Sequence, residues 1–515
     1  MEEVGIMSKN KDKCSVGYYG GCRFPKYKNY DKCILHCEKS KMSFSHHPYF
    51  TEPELFYETL VEYILDLIFQ PDTRRDFHRE DVKDYLVNDS RNNAIEDFLK
   101  EYPIVFTEIH FPNTETSSLI YKDYSILFKK LSKIHFNYCH FYVGYLELEN
   151  IEYFFQDCEF HENWSLQDLP ILENVNDVLY QQCIFHKNTS CSNRSLSTTI
   201  YYKLKCRQFE SCTFKKSLEF YNVIIDKSLF NNYDGFEMNI NELVLEDCII
   251  NDKLELIKSN IQNAKIENCN FEKTTKFVMS NFNAFKIKQC TFSDFAILDD
   301  CKFGIEKEGD IVDFEYVTFL NSANFRNTTF CNGLLFDRTN TKESPNFLGI
   351  KIIEPENVEQ ILNRLRETYR IIKYSFDKIG NTIEANKFYE YEMNKYKQEL
   401  KVKNKLWYNS QEGFVFAFNS FISNFGQKWH KPFMLIIVAL LVRYFSLLLV
   451  KNDIISCSTI KICHIVEFLN ELVEPLSFLK TISANGMEFV TLICNVFIGI
   501  CIWHTVIAFK RHTKR

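Results

Sequence analysis

The 515-residue sequence predicts a multi-domain chain: a central β-solenoid, α-helical segments on either side of it, and two membrane-spanning helices at the C-terminal end. Three observations carry this prediction. A small-x-large phrase returns every ten or eleven residues through the centre. Apolar stripes at helical spacing flank it. Two runs near the C-terminus are apolar over a bilayer's width. With 25% charged and 45% hydrophobic residues, most of the chain is able to bury a core. The net charge of -7 argues against a nucleic-acid binder, which needs a basic face. The 19 Cys are odd in number and mostly sit beside aromatics, as reduced, buried cytosolic thiols do. The first forty residues contain no apolar run of the signal-peptide kind.

Residues 1–45 form a Cys/His-rich N-terminal module. Cys14, Cys22, Cys33 and His36 offer three thiolates and one imidazole, with Cys33 and His36 on one tight turn. Cys37 is an alternative fourth ligand, and four reduced thiols without metal are the alternative to the site as a whole. A zinc ion held by all four would be structural, with no position left for a catalytic water. Residues 46–104 read as a helical cap. Thr51 and Glu54 make a capping box, and Leu55, Phe56, Leu60, Ile64, Leu65 and Ile68 an apolar stripe. Such a unit would cover the first coil of a solenoid, which otherwise exposes unpaired strand edges.

Residues 105–350 hold the repeat. Its small positions are Cys248, Ser259, Cys269, Ser280, Cys290 and Cys301, in steps of 11, 10, 11, 10 and 11. A pair of phrases spans 21 residues, so Cys248, Cys269 and Cys290 fall on one column. A coil with flat sides gives this pattern and a helix does not. The large residue points inward and stacks on its copy one coil away, as Phe271 on Phe292. The residue two earlier also points inward and must be small. Between phrases, Lys265-Ile266 and Lys286-Ile287 put an isoleucine inward and a lysine outward.

A small residue two before a central Leu or Phe, recurring about every five residues, resembles the pentapeptide repeat proteins. The strictest copy is Ala323, Phe325, Thr328 and Phe330; looser ones stand at Cys139, Cys158, Cys183 and Cys212. The resemblance implies a right-handed quadrilateral β-helix. The 21-residue coil exceeds the family's usual 20, which predicts bulges or lengthened sides. The Cys33-Ile34-Leu35-His36 string resembles a small Cys/His module found before the repeats in some members.

Residues 355–405 predict a helical hairpin joined at Gly380-Asn381. One stripe is Ile361, Leu365, Tyr369, Ile372 and Phe376; the other is Ala385, Phe388, Tyr389 and Met393. Glu384, Glu390 and Glu392 read as solvated helix charges. The stretch from Gly380 to Met393 resembles the hairpin that follows the repeats in membrane-bound members of the family. Residues 406–430 are an aromatic interfacial segment. Residues 431–515 form a two-span membrane domain, with Phe433 to Val450 as the first span and Met487 to Phe509 as the second. They reach about 27 and 35 Å, enough to cross a bilayer core. Lysines and arginines flank the outer ends of the pair, so both chain termini are expected in the cytoplasm and the loop 451–486 outside. That loop predicts an amphipathic helix through Ile465 to Leu476.

No nucleophile-base pair, phosphate-binding glycine loop or catalytic carboxylate pair stands out, so no enzymatic activity is expected. The reading is a membrane-anchored, non-enzymatic scaffold at the bacterial inner (cytoplasmic) membrane. Its partners would be the membrane, a cytosolic protein and, in a homo-oligomer, further copies of itself, with no nucleic acid. One structural zinc is its only cofactor. Two alternatives stand beside it. Two spans with a short helix between them also fit an oligomeric ion channel with a cytoplasmic solenoid, although the potassium filter motif is absent. The family resemblance admits an acidic DNA mimic that binds a topoisomerase. Residues 221–330 carry 18 acids and 11 bases, but lysines such as Lys265 and Lys286 interrupt the acidic face.

Overall fold

The computed structural model of the chain describes residues 13–16, 22–39, 53–69, 77–88, 92–101, 103–113, 127–131, 133–146, 148, 151–166, 178–192, 202–205, 207–231, 237–304, 311–355, 358–403, 408, 410–451 and 488–513. They divide into two compact units. One comprises Met1–Leu334 with Arg338–Pro355, the other Leu335–Asp337 with Glu356–Arg515.

In the first unit, a parallel β-solenoid runs through residues 133–352. Its strands pair in register one coil apart: Ile249↔Asn270 and Ile250↔Phe271, then Asn270↔Thr291 and Phe271↔Phe292. Cys248, Cys269 and Cys290 therefore share a column, and all three are buried. In-register parallel pairing sets each side chain directly over its counterpart one coil away, so the small positions recur as one column, while a larger column mixes sizes, as Leu243, Ala264 and Phe285 do. Phe111, Phe141, Phe160, Phe185 and Phe214 stack with centroids 5.0, 5.0, 4.6 and 4.8 Å apart. Facing them, Phe106, Phe136, Phe155, Tyr180 and Phe209 stack at 4.9–5.5 Å. The two columns meet edge to face, as Phe141 meets Phe155 at 85°, the arrangement that the ring quadrupoles favour. Ile266 and Ile287 are buried, while Lys265 and Lys286 stand outside.

The small positions do more than fit a narrow gap. The Cys158 thiol donates to the Gln156 carbonyl at 3.3 Å and to the Phe136 carbonyl of the preceding coil at 3.2 Å. Cys212 and Cys248 repeat this arrangement, and the Ser280 hydroxyl donates to Leu256 at 2.9 Å. Burial pushes the Cys158 and Cys212 thiols up and Cys301 to about 12, so each stays a protonated donor. Among the described residues the cysteines are free thiols.

The residue before most small positions is left-handed. Asp157, Gln182, Asp247, Asn268, Met279, Gln289, Asp300 and Asn327 have φ of 52–57°. A non-glycine residue there costs about 1–2 kcal/mol. The stacking offsets this cost by bonding the corner amides between coils, as Asn268 N–H to Lys288 O at 3.0 Å and Asp157 N–H to Gln181 O at 2.9 Å. Irregularity of the expected kind also occurs between Phe214 and Ser217, where the register with the next strand shifts.

Among the described residues three helices precede the solenoid: α1 (Pro53–Ile68), α2 (Arg79–Val87) and α3 (Asn93–Glu101). In α1, Phe56, Leu60, Ile64, Leu65 and Ile68 are buried, and the rings of Phe56 and Tyr63 lie 6.2 Å from Phe111 and Phe106 of the first strands. The helix thus covers the starting edge, as the stripe predicts. Leu55 is a correction: it is 44% exposed, because the buried arc of α1 begins at Phe56. Thr51 of the expected capping box lies outside the described residues.

The second unit holds α4 (Leu362–Lys378), α5 (Thr382–Lys403), α6 (Gln411–Ser423), α7 (His430–Lys451) and α8 (Glu488–Thr513). Gly380, with φ of +78°, joins α4 to α5 at the expected place. Leu365, Tyr369, Ile372 and Phe376 pack against Ala385 and Phe388; Phe376 and Phe388 stack at 5.6 Å. Glu392 is a second correction. It is 9% exposed and burial raises its carboxyl, because α5 turns that face toward α4. Ala439 and Leu440 of α7 pack on Ile498 of α8. Among the described residues α8 is the helix long and apolar enough to cross a membrane, over Leu492–Arg511. The C-terminal part of α8 is fastened by His504 Nδ1 3.0 Å from Ser423 Oγ, by Arg511 to the Phe425 carbonyl, and by Asn386 to the Arg511 carbonyl at 2.9 Å. The expected loop helix at 465–476 lies outside the described residues.

Candidate metal centre

The N-terminal module is built from two local devices. A backbone bridge between Lys13 and Pro25 brings Cys14 and Cys22 together, with Cys14 N–H on Phe24 O and Cys22 N–H on Val16 O, both 3.1 Å. A tight turn then places His36 over Cys33: the Cys33 carbonyl accepts from His36 N–H at 3.1 Å and Cys37 N–H at 3.0 Å. The donor atoms of Cys14, Cys22, Cys33 and His36 all lie within 4.8 Å of one another.

Their spacing is that of ligands on one ion. A tetrahedral zinc, with Zn–S of about 2.3 Å and Zn–N of about 2.0–2.1 Å, sets an S–S edge of about 3.8 Å and an S–N edge of about 3.5 Å. Cys22 and Cys33 sulfurs are 3.7 Å apart. His36 Nδ1 is 3.5 Å from Cys14 Sγ and 3.2 Å from Cys33 Sγ. The group can hold a metal ion such as zinc through these four residues. Cys37 is not brought to it: its thiol donates to Ile34 O at 3.6 Å and takes a contact from Lys39 Nζ at 3.5 Å.

The four donor groups perturb one another's ionisation. Contact with Cys22, and then burial, push the Cys33 thiol up to about 12. Burial opposes a charge on His36, yet its contacts with Cys14 and Cys33 outweigh burial and raise it to about 9. Burial likewise opposes ionisation of Cys14, but contact with His36 lowers it overall. A divalent cation bound here would displace the protons of the Cys33 thiol and the His36 imidazole.

The turn also serves the solenoid. The Leu35 carbonyl accepts from His110 N–H at 2.9 Å, so the residue between two candidate ligands satisfies the edge strand. Arg23 pairs with Asp66 of α1, and Arg79 of α2 joins both Asp66 at 3.0 Å and Glu62 at 2.6 Å. The candidate metal turn, α1 and the first strand thus form one structural corner. A second group that offers metal donors, His140, Glu159 and His161, gave no sequence signal beyond the scattered histidines beside its phenylalanines. No protein-family model matches the chain, and neither the curated proteins nor the solved structures provide a significant match.

Proposed function

We propose that this chain is a membrane-anchored, non-enzymatic scaffold of the pentapeptide repeat type, which presents its solenoid to a cytosolic protein at the inner face of a bacterial cytoplasmic membrane. The observation that carries the anchoring is the outward face of α7 and α8. Phe433, Met434, Val438, Val442 and Phe445 of α7 are each at least half exposed, as are Leu492, Ile493, Val496, Trp503 and Val506 of α8. In water such a surface is unfavourable; against lipid it is the expected one. On this reading α7 and α8 form a two-span hairpin with both chain termini cytoplasmic, and the solenoid has a right-handed, four-sided cross-section. One structural zinc sits in the N-terminal module.

The scaffold assignment rests on the filled interior. Stacked rings occupy the space between the sheets, and a packed solenoid offers surface rather than a substrate cavity. Charges on that surface are paired, between coils for Lys265 with Glu246, Lys286 with Glu267, and Glu315 with both Lys288 and Arg338, and within one strand for Lys265 with Glu267. This pairing fits poorly with a continuous acidic DNA mimic.

Fractionation tests the anchoring. The full chain should stay with membranes through high-salt and alkaline washes and leave them only in detergent; release by either wash would overturn it. The oligomeric state in detergent separates the scaffold from the channel alternative, which requires a closed ring of copies with measurable conductance in vesicles.

A further inference from the structure

Successive coils place His110-Phe111, His140-Phe141, Glu159-Phe160 and Ile184-Phe185 in direct parallel register. Each phenylalanine points inward, so the residues on either side of it point outward. Before the ring stand His110, His140 and Glu159. After it stand Tyr142, His161 and His186. The outer rings form a ladder: His110 on His140 at 4.1 Å, His140 on His161 at 5.5 Å, His161 on His186 at 4.6 Å, with Tyr142 on His161 at 4.5 Å.

Three donor atoms converge within this ladder. His140 Nδ1 and His161 Nε2 are 3.2 Å apart. Glu159 Oε2 lies 4.0 Å from the first and 3.8 Å from the second. A point in the plane of this triangle is about 2.1 Å from all three atoms, the length of a zinc–imidazole or zinc–carboxylate bond. His186 Nε2 stands 2.8 Å from the same Glu159 oxygen, and Lys215 Nζ stands 3.3 Å from His186 Nδ1. Lysine is a donor, so Nδ1 accepts and Nε2 carries the proton that holds Glu159. The side chains of His140, Glu159 and His161 are 24–33% exposed, within reach of an ion from solvent.

We propose that His140, Glu159 and His161 form a second metal site, for one divalent transition-metal cation, with His186 orienting the carboxylate. His140 comes from one coil and the other two ligands from the next, so the ion cross-links neighbouring coils. Two imidazoles and one carboxylate suit zinc, nickel or copper; calcium takes six to eight oxygen ligands.

The probe is the metal alone, on tag-free full-length protein in detergent. The chain stripped of metal should take up two zinc ions. His161→Ala and Glu159→Gln should each take up one, with affinity for the lost ion reduced at least tenfold. His186→Ala should keep both ions, binding one of them about 10–100-fold more weakly. Cobalt distinguishes the centres: the sulfur-to-metal absorption of the cysteine site should survive in all three variants, while the visible bands of a nitrogen/oxygen site disappear in the first two. The substituted side chains face outward, and Glu159→Gln keeps the shape of the original, so that variant decides if His161→Ala is poorly folded. Unchanged zinc stoichiometry and affinity in Glu159→Gln, or no nitrogen/oxygen cobalt bands in the parent, would overturn the proposal.

Discussion

The ring of Phe271 stacks on that of Phe292 one coil away, with centroids 4.6 Å apart and planes 5° from parallel. Both are buried. Phe271→Ala should lower stability by about 3–5 kcal/mol, through lost burial and a cavity the stack is unable to close. Phe295, four tenths exposed, is the control: Phe295→Ala should stay within about 0.5 kcal/mol. Denaturant midpoints measure both, and equal losses would refute the register.

The left-handed corners give a prediction of opposite sign. Met279 has φ of 53° and is 53% exposed, while Asn268 and Asn327 occupy equivalent corners. Asparagine tolerates this conformation better than most side chains. Met279→Asn should therefore raise stability by up to about 1 kcal/mol, and Asn268→Val should lower it by about 1–2 kcal/mol. A higher melting temperature for Asn268→Val would contradict the cost assigned to these corners.

Replacing Cys33 with Ser should abolish zinc binding by the N-terminal module, whereas Cys37→Ser should retain it, because the Cys37 thiol is turned to the Ile34 carbonyl. Loss of the turn also frees the His110 amide from Leu35. Hydrogen exchange at His110 should then accelerate in Cys33→Ser and after chelation. Metal analysis that finds equal zinc in both variants would exclude the assignment.

Glu62 supplies a pH dependence. Its hydrogen bond to Lys83, assisted by Arg79, holds its carboxyl below the usual 4.5. A depressed folded value means the contribution is complete above pH 4.5 and is lost as pH falls through the folded value. The side chain is about a third exposed, so the contribution is below about 1 kcal/mol. Wild type should exceed Glu62→Gln in stability at neutral pH, and the gap should close in acid. A gap that widens below pH 4.5 would reverse the sign.

The sequence alone determined the solenoid, because a parallel in-register stack sets corresponding residues of successive coils over one another, and the small column is written as a 21-residue period from Cys248 to Cys290. It determined the helical stripes of α1 and α4 for a similar reason, since 3.6-residue spacing is local. It also named the four donors of the N-terminal module, although not why His36 and not Cys37 completes them; the turn over Cys33–Cys37 decided that. Leu55 and Glu392 fell on the unexpected side because the edge of a buried arc depends on the neighbouring element. The left-handed corners were not legible because they carry no glycine and, beside Asp and Asn, use Gln182, Met279 and Gln289, which do not favour that conformation; their cost is met by amide bonds between coils. Tertiary structure alone assembled His140, Glu159, His161 and His186. From Phe111 through Phe141, Phe160 and Phe185 the inward column advances by 30, 19 and 25 residues, and such unequal spacing hides the register. Strand pairing removes those differences, setting side chains from separate coils within a metal–ligand distance of a common point.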